Sequence, residues 1–390
     1  MVTIWNAFGH GIRSVSTLTF GLERPEGIGI EEAPCIASGH LRMLPNFNMV
    51  GQKEFLMACE ATAYARAGLI GNPSDGYFGK TISFVIRDFA AKVSLYESRN
   101  IEIVPSFQDR STYKSAGELY DDVRDNGYYG GIRLMKATIC RFVEYCREHD
   151  LRIEDKNFSI RYRSTIPRRL GLAGSSALIT ATLRCLMEYY EVEIPQPIQA
   201  NVILSVESNK LGISAGLQDR VIQVYEGCVF MDFERERMAR DGYGHYESLD
   251  PTLLPKLFIA YRQDLGEGSE TFHNTIKERW TAGDPDVIEA MTDFAGYAQE
   301  ARDLIVAGRG TEIGPLLDQN FDRRRKLYQL DARNVDMVSR ARSVGAHAKF
   351  SGSGGAIVGV YHDDAMYNAL SEVMAEGDIA LFQPTILEDS

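Results

Sequence analysis

The stretch IPRRLGLAGSSA, from Ile166 to Ala177, sets two glycines and two serines where an extended segment gives way to a helix. Pro167 stiffens the exit, and Gly171 and Gly174 let the backbone close around an anion. The N–H groups of such a loop, together with the positive end of the helix dipole behind it, attract phosphate. Gly171, Leu172, Ala173, Gly174, Ser175, Ser176 and Ala177 are therefore read as a cradle for phosphate. The serine hydroxyls would serve as N-cap, phosphate donor or magnesium ligand. A structural strand-to-helix turn has the same composition, so the pattern needs support from the rest of the chain.

Three further segments supply it. In KFSGSGGAIVGVY, Lys349 to Tyr361, the small residues Ser351, Gly352, Ser353, Gly354 and Gly355 precede an apolar strand, so a ligand can approach the backbone closely. RAGLIGNPSDGY, Arg66 to Tyr77, is a polar, glycine-loaded tip; on its own, Arg66 reads as a surface arginine and Asp75 as a turn former beside Gly76. The overlapping SDGYFGKT nearly matches GxxxxGK[ST], but Ser74 stands at the first glycine position and the strand-like TISFVI follows where that motif requires a helix. Finally, SVESNKLGISAGLQDR, Ser205 to Arg220, carries the carboxylates Glu207 and Asp219. Phosphoryl transfer to an alcohol needs positioning, a metal to offset phosphate charge and, in many enzymes, a carboxylate to take the hydroxyl proton. A solvated surface is the ordinary place for such side chains.

PxxxGLxxSSA before an amphipathic helix resembles the nucleotide-binding motif of the GHMP kinases, although GLAGSS stands here where that family usually has GLGSS or GLSSS. KFSGSGGA resembles their C-terminal glycine-rich motif, which implies that Gly352, Ser353 and Gly354 pack beside the phosphates. RAGLIGNPSDGY is similar to the galactokinase opening RVNLIGEHTDY. That likeness implies Arg66 beside the transferred phosphate and Asn72 and Asp75 on the sugar, with Asn72 and Pro73 in place of Glu and His signalling a sugar other than galactose. GLQD resembles the GIMD of galactokinases and the GVD of mevalonate kinases, which implies Asp219 as the base. Glu207 then falls near the family's magnesium glutamate, with Ser176 as the other metal ligand.

ARAGLIGNPSDGYFGKTIS, NGYYGGIRL, IPRRLGLAGSSA, AGLQDR, NFDRRRKL and KFSGSGGA occur in this order in the plant-type glucuronokinase family, a resemblance covering residues 60 to 387. It implies an α+β, two-domain fold in which an N-terminal α/β domain with the phosphate loop faces a smaller C-terminal α+β domain. It also implies ATP and Mg2+ as cofactors and D-glucuronate as the sugar phosphorylated at its anomeric oxygen. A kinase for galacturonate, a heptose or fucose is the alternative, as is a silent sugar- and ATP-binding sensor. A sensor would have lost the base or the serine loop, and Asp219, Glu207, Ser175 and Ser176 are all present.

The substrate has a physical counterpart in the sequence. A uronate carboxylate is best read by a bidentate guanidinium. Arg168, Arg169, Arg220 and the run Arg323 to Arg325 stand near the motifs, and Arg168, Arg220 and Arg325 are the candidates, one or two of the run being a solvated helix face. A hemiacetal hydroxyl is more acidic than an ordinary alcohol, so an aspartate of normal basicity aided by Arg66 suffices as base.

These residues need a scaffold. TAYARAGLI, TISFVI, AKVSLYE and FSIRYRS alternate as strands do, and GCVFMDF, KLFIAYR and GAIVGVY read as further strands. Met135, Ile139, Phe142 and Cys146 share one helix face, as do Ile179, Leu183, Leu186 and Tyr190; more helices fill about 270 to 345. At 390 residues and 44% hydrophobic content, two cores are expected. The division runs 1–57 as an extension of no assigned role, 58–228 as the ATP-binding domain and 229–390 as the C-terminal domain. A net charge of −12 argues against nucleic acid and anionic membrane partners. Six cysteines without CxxC spacing read as reduced thiols in a cytoplasmic setting, and no apolar window of about 18 residues exists to span a membrane.

Overall fold

The computed structural model describes residues 57–387, apart from 107–108, 110–113, 121–129, 169 and 263–269. The proposed extension, 1–57, lies outside these residues save for Met57. β1 (Met57–Ile70) and β2 (Lys80–Ser98) form an antiparallel hairpin whose connection is the polar tip. In the outer half of β2, Ala91, Val93 and Leu95 are buried while Lys92 and Ser94 are partly exposed, the alternation of a one-sided sheet. Nearer the tip, residues 65–70 and 81–86 are buried on both faces. That explains why ARAGLI and TISFVI contain so little charge, and it makes the single charge there, Arg66, informative.

The other edge of β2 is shared. β4 (Asn157–Ser164) pairs with residues 91–98 and β5 (Cys228–Asp232) with residues 80–84; β6 (His245–Leu249) continues from β5, and the short β3 (Glu102–Ile103) runs parallel to β4. A second, antiparallel sheet is ordered β10 (Ala380–Phe382), β7 (Leu257–Tyr261), β9 (Ala356–Val360), β8 (His347–Phe350). Because β5 and β6 complete the first sheet, the expected boundary at 228 falls inside it; the change of sheet comes after Leu249. One apolar core runs through both sheets, including Phe84, Ile179, Ile259 and Val358. Residues 57–387 pack as one compact unit.

Helices cover these sheets: α1 (Gly131–Glu148), α2 (Gly174–Tyr189), α3 (Gln196–Ser205), α4 (Gln218–Tyr225), α5 (Arg235–Asp241), α6 (Glu270–Thr281), α7 (Pro285–Val306), α8 (Gly314–Leu327), α9 (Ala332–Ser343) and α10 (Asp364–Ala375). α1 buries Leu134, Met135, Phe142 and Cys146 along one side, as its periodicity predicts. α2 is buried nearly all round from Ser176 to Leu186, the condition of a helix inside the molecule and not on its surface. No helix among the described residues is long and apolar enough to cross a membrane. The five described cysteines are free, with only Cys140 exposed.

Candidate active site

The two glycine-rich loops meet backbone to backbone. A Cβ on Gly352 would lie 2.4 Å from the carbonyl oxygen of Gly171, and one on Gly171, at φ 63°, would lie 2.7 Å from that of Gly354. Any side chain at these positions would wedge the loops apart, so glycine is required by the approach itself. Ala173 also has a left-handed backbone, φ 61°, which costs a non-glycine residue about 1–2 kcal/mol. Its carbonyl holds it there, accepting from Gln223 Nε2 (2.9 Å), the Ser176 hydroxyl (3.1 Å) and the Ala177 N–H (3.1 Å). Ser176 is thereby turned inward and buried, whereas Ser175, at the start of α2, is partly exposed.

Arg66 threads the contact between the loops. It is buried on β1, its Nε donates to Asp219 Oδ1 at 2.6 Å, and its Nη1 donates to the carbonyls of Gly171 and Ser351. Asp219 sits in the first turn of α4, where the helix dipole favours an anion. Burial, which would raise the Asp219 carboxyl, is outweighed by the Arg66 and Arg220 charges, and the group is held below its ordinary value. Arg220 is buried too: Nε reaches Glu207 Oε2 at 2.8 Å, Nη2 bonds the same oxygen, and Nη1 contacts Gly216 O at 2.9 Å and Asp219 Oδ2 at 3.3 Å. Burial, which would lower its guanidinium, loses to the charges of Glu207 and Asp219, so Arg220 stays charged.

The tip is pinned from three directions. Asn320 of α8 accepts from the Gly71 N–H at 2.8 Å and donates to Asn72 O at 3.3 Å. Lys349, 1% exposed, donates to Gly68 O (2.8 Å), Phe350 O (2.7 Å) and Asn72 Oδ1, all uncharged oxygens. Desolvation, then the Arg324 and Arg66 charges, holds its ammonium well below the usual lysine range. Asp75 accepts from the Gln218 N–H at 3.3 Å and is so close to Gly216 that a Cβ there would overlap it. Burial and the Asp219 charge raise the Asp75 carboxyl to about 6.

That shift has a stability consequence of definite sign. A carboxyl raised in the folded state favours folding while protonated and loses that advantage as pH climbs through the folded value. Asp75→Asn, a neutral isostere, is expected to melt a few degrees above the wild type at pH 7.5. The gap should narrow as pH falls from 6 toward 4, in parallel scans by calorimetry; a variant less stable than wild type at pH 7.5 would refute the assignment.

The structure gathers Arg66, Asn72, Asp75, Asp219, the 171–177 loop and the 352–354 loop into one site. It separates others from it. Arg220 cannot be the carboxylate reader, because its guanidinium is committed to Glu207 and Asp219. Arg168 and Arg325 are exposed, and Arg169 lies outside the described residues. In the run on α8, Arg323 pairs with Asp293 at 2.7 Å, while Arg324, the neighbour not chosen, turns inward to donate to Gly352 O at 2.8 Å and Ser353 O at 3.3 Å. Glu207 likewise has a partner other than a metal, since Arg220 occupies Oε2. Among the described residues, no three His, Cys, Asp or Glu side chains form a metal cluster. A magnesium ion that takes most of its ligands from phosphate oxygens and water needs none, and the hydroxyl of Ser175 suits it as a donor. Lys349 and Asn320 were invisible to periodicity: a lysine opening a strand motif and an asparagine inside a helix carry no local mark of burial.

The chain is similar to known kinases. Residues 134–227 match the family model for the GHMP kinases N terminal domain. The chain is 41% identical to "Glucuronokinase 1" of Arabidopsis thaliana over 81% of its own length and 88% of the relative's. It is 42% identical to "Probable glucuronokinase 2" of the same plant, over 77% and 83%. In fold it resembles the galactokinase of Lactococcus lactis complexed with galactose, with a TM-score of 0.65 at 16% identity over 84% of this chain and 93% of that one. It also resembles the mevalonate kinase of Methanococcus jannaschii, with a TM-score of 0.64 at 17% identity over 85% and 99%.

Proposed function

Because the chain belongs to the glucuronokinase family of GHMP kinases, we propose that it transfers the γ-phosphoryl group of ATP to the anomeric hydroxyl of D-glucuronate, giving ADP and D-glucuronate 1-phosphate. It is a phosphotransferase that uses ATP and acts on a sugar hydroxyl. The observation that carries the detailed reading is the Arg66–Asp219 pair, held at 2.6 Å where the two glycine loops touch and below a tip bearing Asn72 and Asp75.

Each residue has a part that its surroundings support. The N–H groups of residues 171–177 and the N-terminus of α2 bind the triphosphate. Arg66 is aimed at the equatorial oxygens of the group in flight, where charge accumulates in a loose transition state. Asp219, weakened as a base by two guanidiniums, orients the sugar hydroxyl and accepts its proton late, once the new P–O bond is forming. Asn72 and Asp75 hold the sugar. Mg2+, when bound with the nucleotide, neutralises phosphate charge; Ser175 or Ser176 and the phosphate oxygens would hold it, and Glu207 would join them only by leaving Arg220.

The test is an ADP-release assay of the purified chain with D-glucuronate, D-galacturonate, D-glucose, a heptose and fucose. D-Glucuronate should exceed D-glucose about a hundredfold or more in kcat/KM, since a carboxylate site binding the neutral sugar leaves its charge unpaired. Equal values for the two would overturn the uronate assignment.

A further inference from the structure

Beside the tip, the cluster of Tyr77, Phe294, Met291 and Tyr328 holds a hydroxyl with no partner among the described residues. Tyr328 follows directly on α8, its N–H bonded to Arg324 O at 2.9 Å, and its ring is 7% exposed. Its Oη makes no hydrogen bond to any of the described residues. A buried phenol in that state costs free energy that an incoming acceptor would recover.

One turn earlier, Arg324 is 3% exposed, and its guanidinium lies 5.3 Å over the Tyr328 ring and 5.3 Å over that of Phe350. Two of its partners are the carbonyls of Gly352 and Ser353, which places the guanidinium against the loop that touches the phosphate site. The Arg324 and Asp75 charges both act on the Tyr328 hydroxyl, so the three groups share one neighbourhood. Arg66 is a second buried guanidinium against the same loops, donating to Gly171 O and Ser351 O. Positive charge concentrated in a desolvated place favours an anionic ligand over a neutral one.

Resting on the glucuronokinase reading, we propose that Tyr328 and Arg324 form the subsite for the sugar's carboxylate, the phenol donating to one oxygen and the guanidinium supplying the opposite charge. The aromatic faces around Arg324 fix its fork and exclude water from the pair.

An ATP phosphate oxygen presents the same chemistry, and kinetics separate the two sources. In the full chain, Tyr328→Phe removes only the hydroxyl, and Arg324→Met removes the charge while keeping bulk. Tyr328→Phe should lower kcat/KM for D-glucuronate about ten- to a hundredfold. It should leave the KM for ATP within about twofold and lower the glucuronate-over-glucose ratio; Arg324→Met should lower that ratio further, with a smaller rise in the ATP KM because the Gly352 and Ser353 carbonyls lose their donor. Unchanged glucuronate kinetics in Tyr328→Phe, equal losses for glucuronate and glucose, or a raised ATP KM as the main effect would each overturn the subsite. A wild-type chain that does not prefer glucuronate overturns the substrate reading instead, and that shows before any variant is assayed.

Discussion

Asp219→Asn is expected to lower kcat by about 10²- to 10⁴-fold, the range for removing a positioned proton acceptor. Amide and carboxylate are nearly the same size, and Arg66 keeps its bonds to the Gly171 and Ser351 carbonyls, so the loops should stay in contact. ATP affinity, measured by calorimetric titration, should change little, because the role proposed for the aspartate is on the sugar hydroxyl in the transition state and not on bound nucleotide. The substitution also removes the like charge that helps raise Asp75, so the Asp75 carboxyl should titrate closer to its ordinary value, which carboxyl NMR can follow. A variant retaining more than a tenth of wild-type kcat would exclude Asp219 as the essential acceptor.

Glu207→Ala should cost about 3–5 kcal/mol, because it strands the buried Arg220 guanidinium beside only the flanking Asp219. At roughly 1.5 °C per kcal/mol for a unit of this size, Tm should fall by about 4–7 °C, with or without magnesium. A residue whose main task is metal binding behaves otherwise. Its loss would raise the magnesium concentration needed for half-maximal rate and leave the metal-free Tm almost unmoved. That second pattern would restore Glu207 to the metal; the first makes it the anchor that orients Arg220 and, through it, Asp219.

What the sequence disclosed and what it hid follow from the range of the signals. The 166–177 loop and the 349–361 strand were legible because glycine and serine at fixed offsets constrain a short backbone stretch, and a local pattern suffices to recognise one. The inner half of β1 was legible as a strand but not as a doubly buried one, since its second cover comes from helices and a sheet far along the chain. Arg324 and Arg325 differ by one position on α8, about 100° around the helix, and the charged run RRRK offers no amphipathic stripe to decide which faces inward. Glu207 and Arg220 are thirteen residues apart and joined across a bend, a pairing no spacing rule anticipates. The place of β5 in the first sheet was hidden for a related reason. β5 returns to an edge of β2 left open by the shorter β4, and strand length in a distant partner cannot be read locally.

The bonds that join Arg66 to Ser351 and Lys349 to Gly68 link residues 285 and 281 positions apart. At synthesis rates of about 5–20 residues per second, β1 leaves the ribosome some 15–60 s before its partners exist. Through that interval the doubly buried segment from Ala65 to Ile70 lacks the second sheet and α8, and presents an apolar strand to solvent. Nascent chains stalled before residue 350 should therefore bind ATP poorly and recruit holdase chaperones at this hairpin, so the order of manufacture leaves the meeting of the two glycine loops among the last contacts to form.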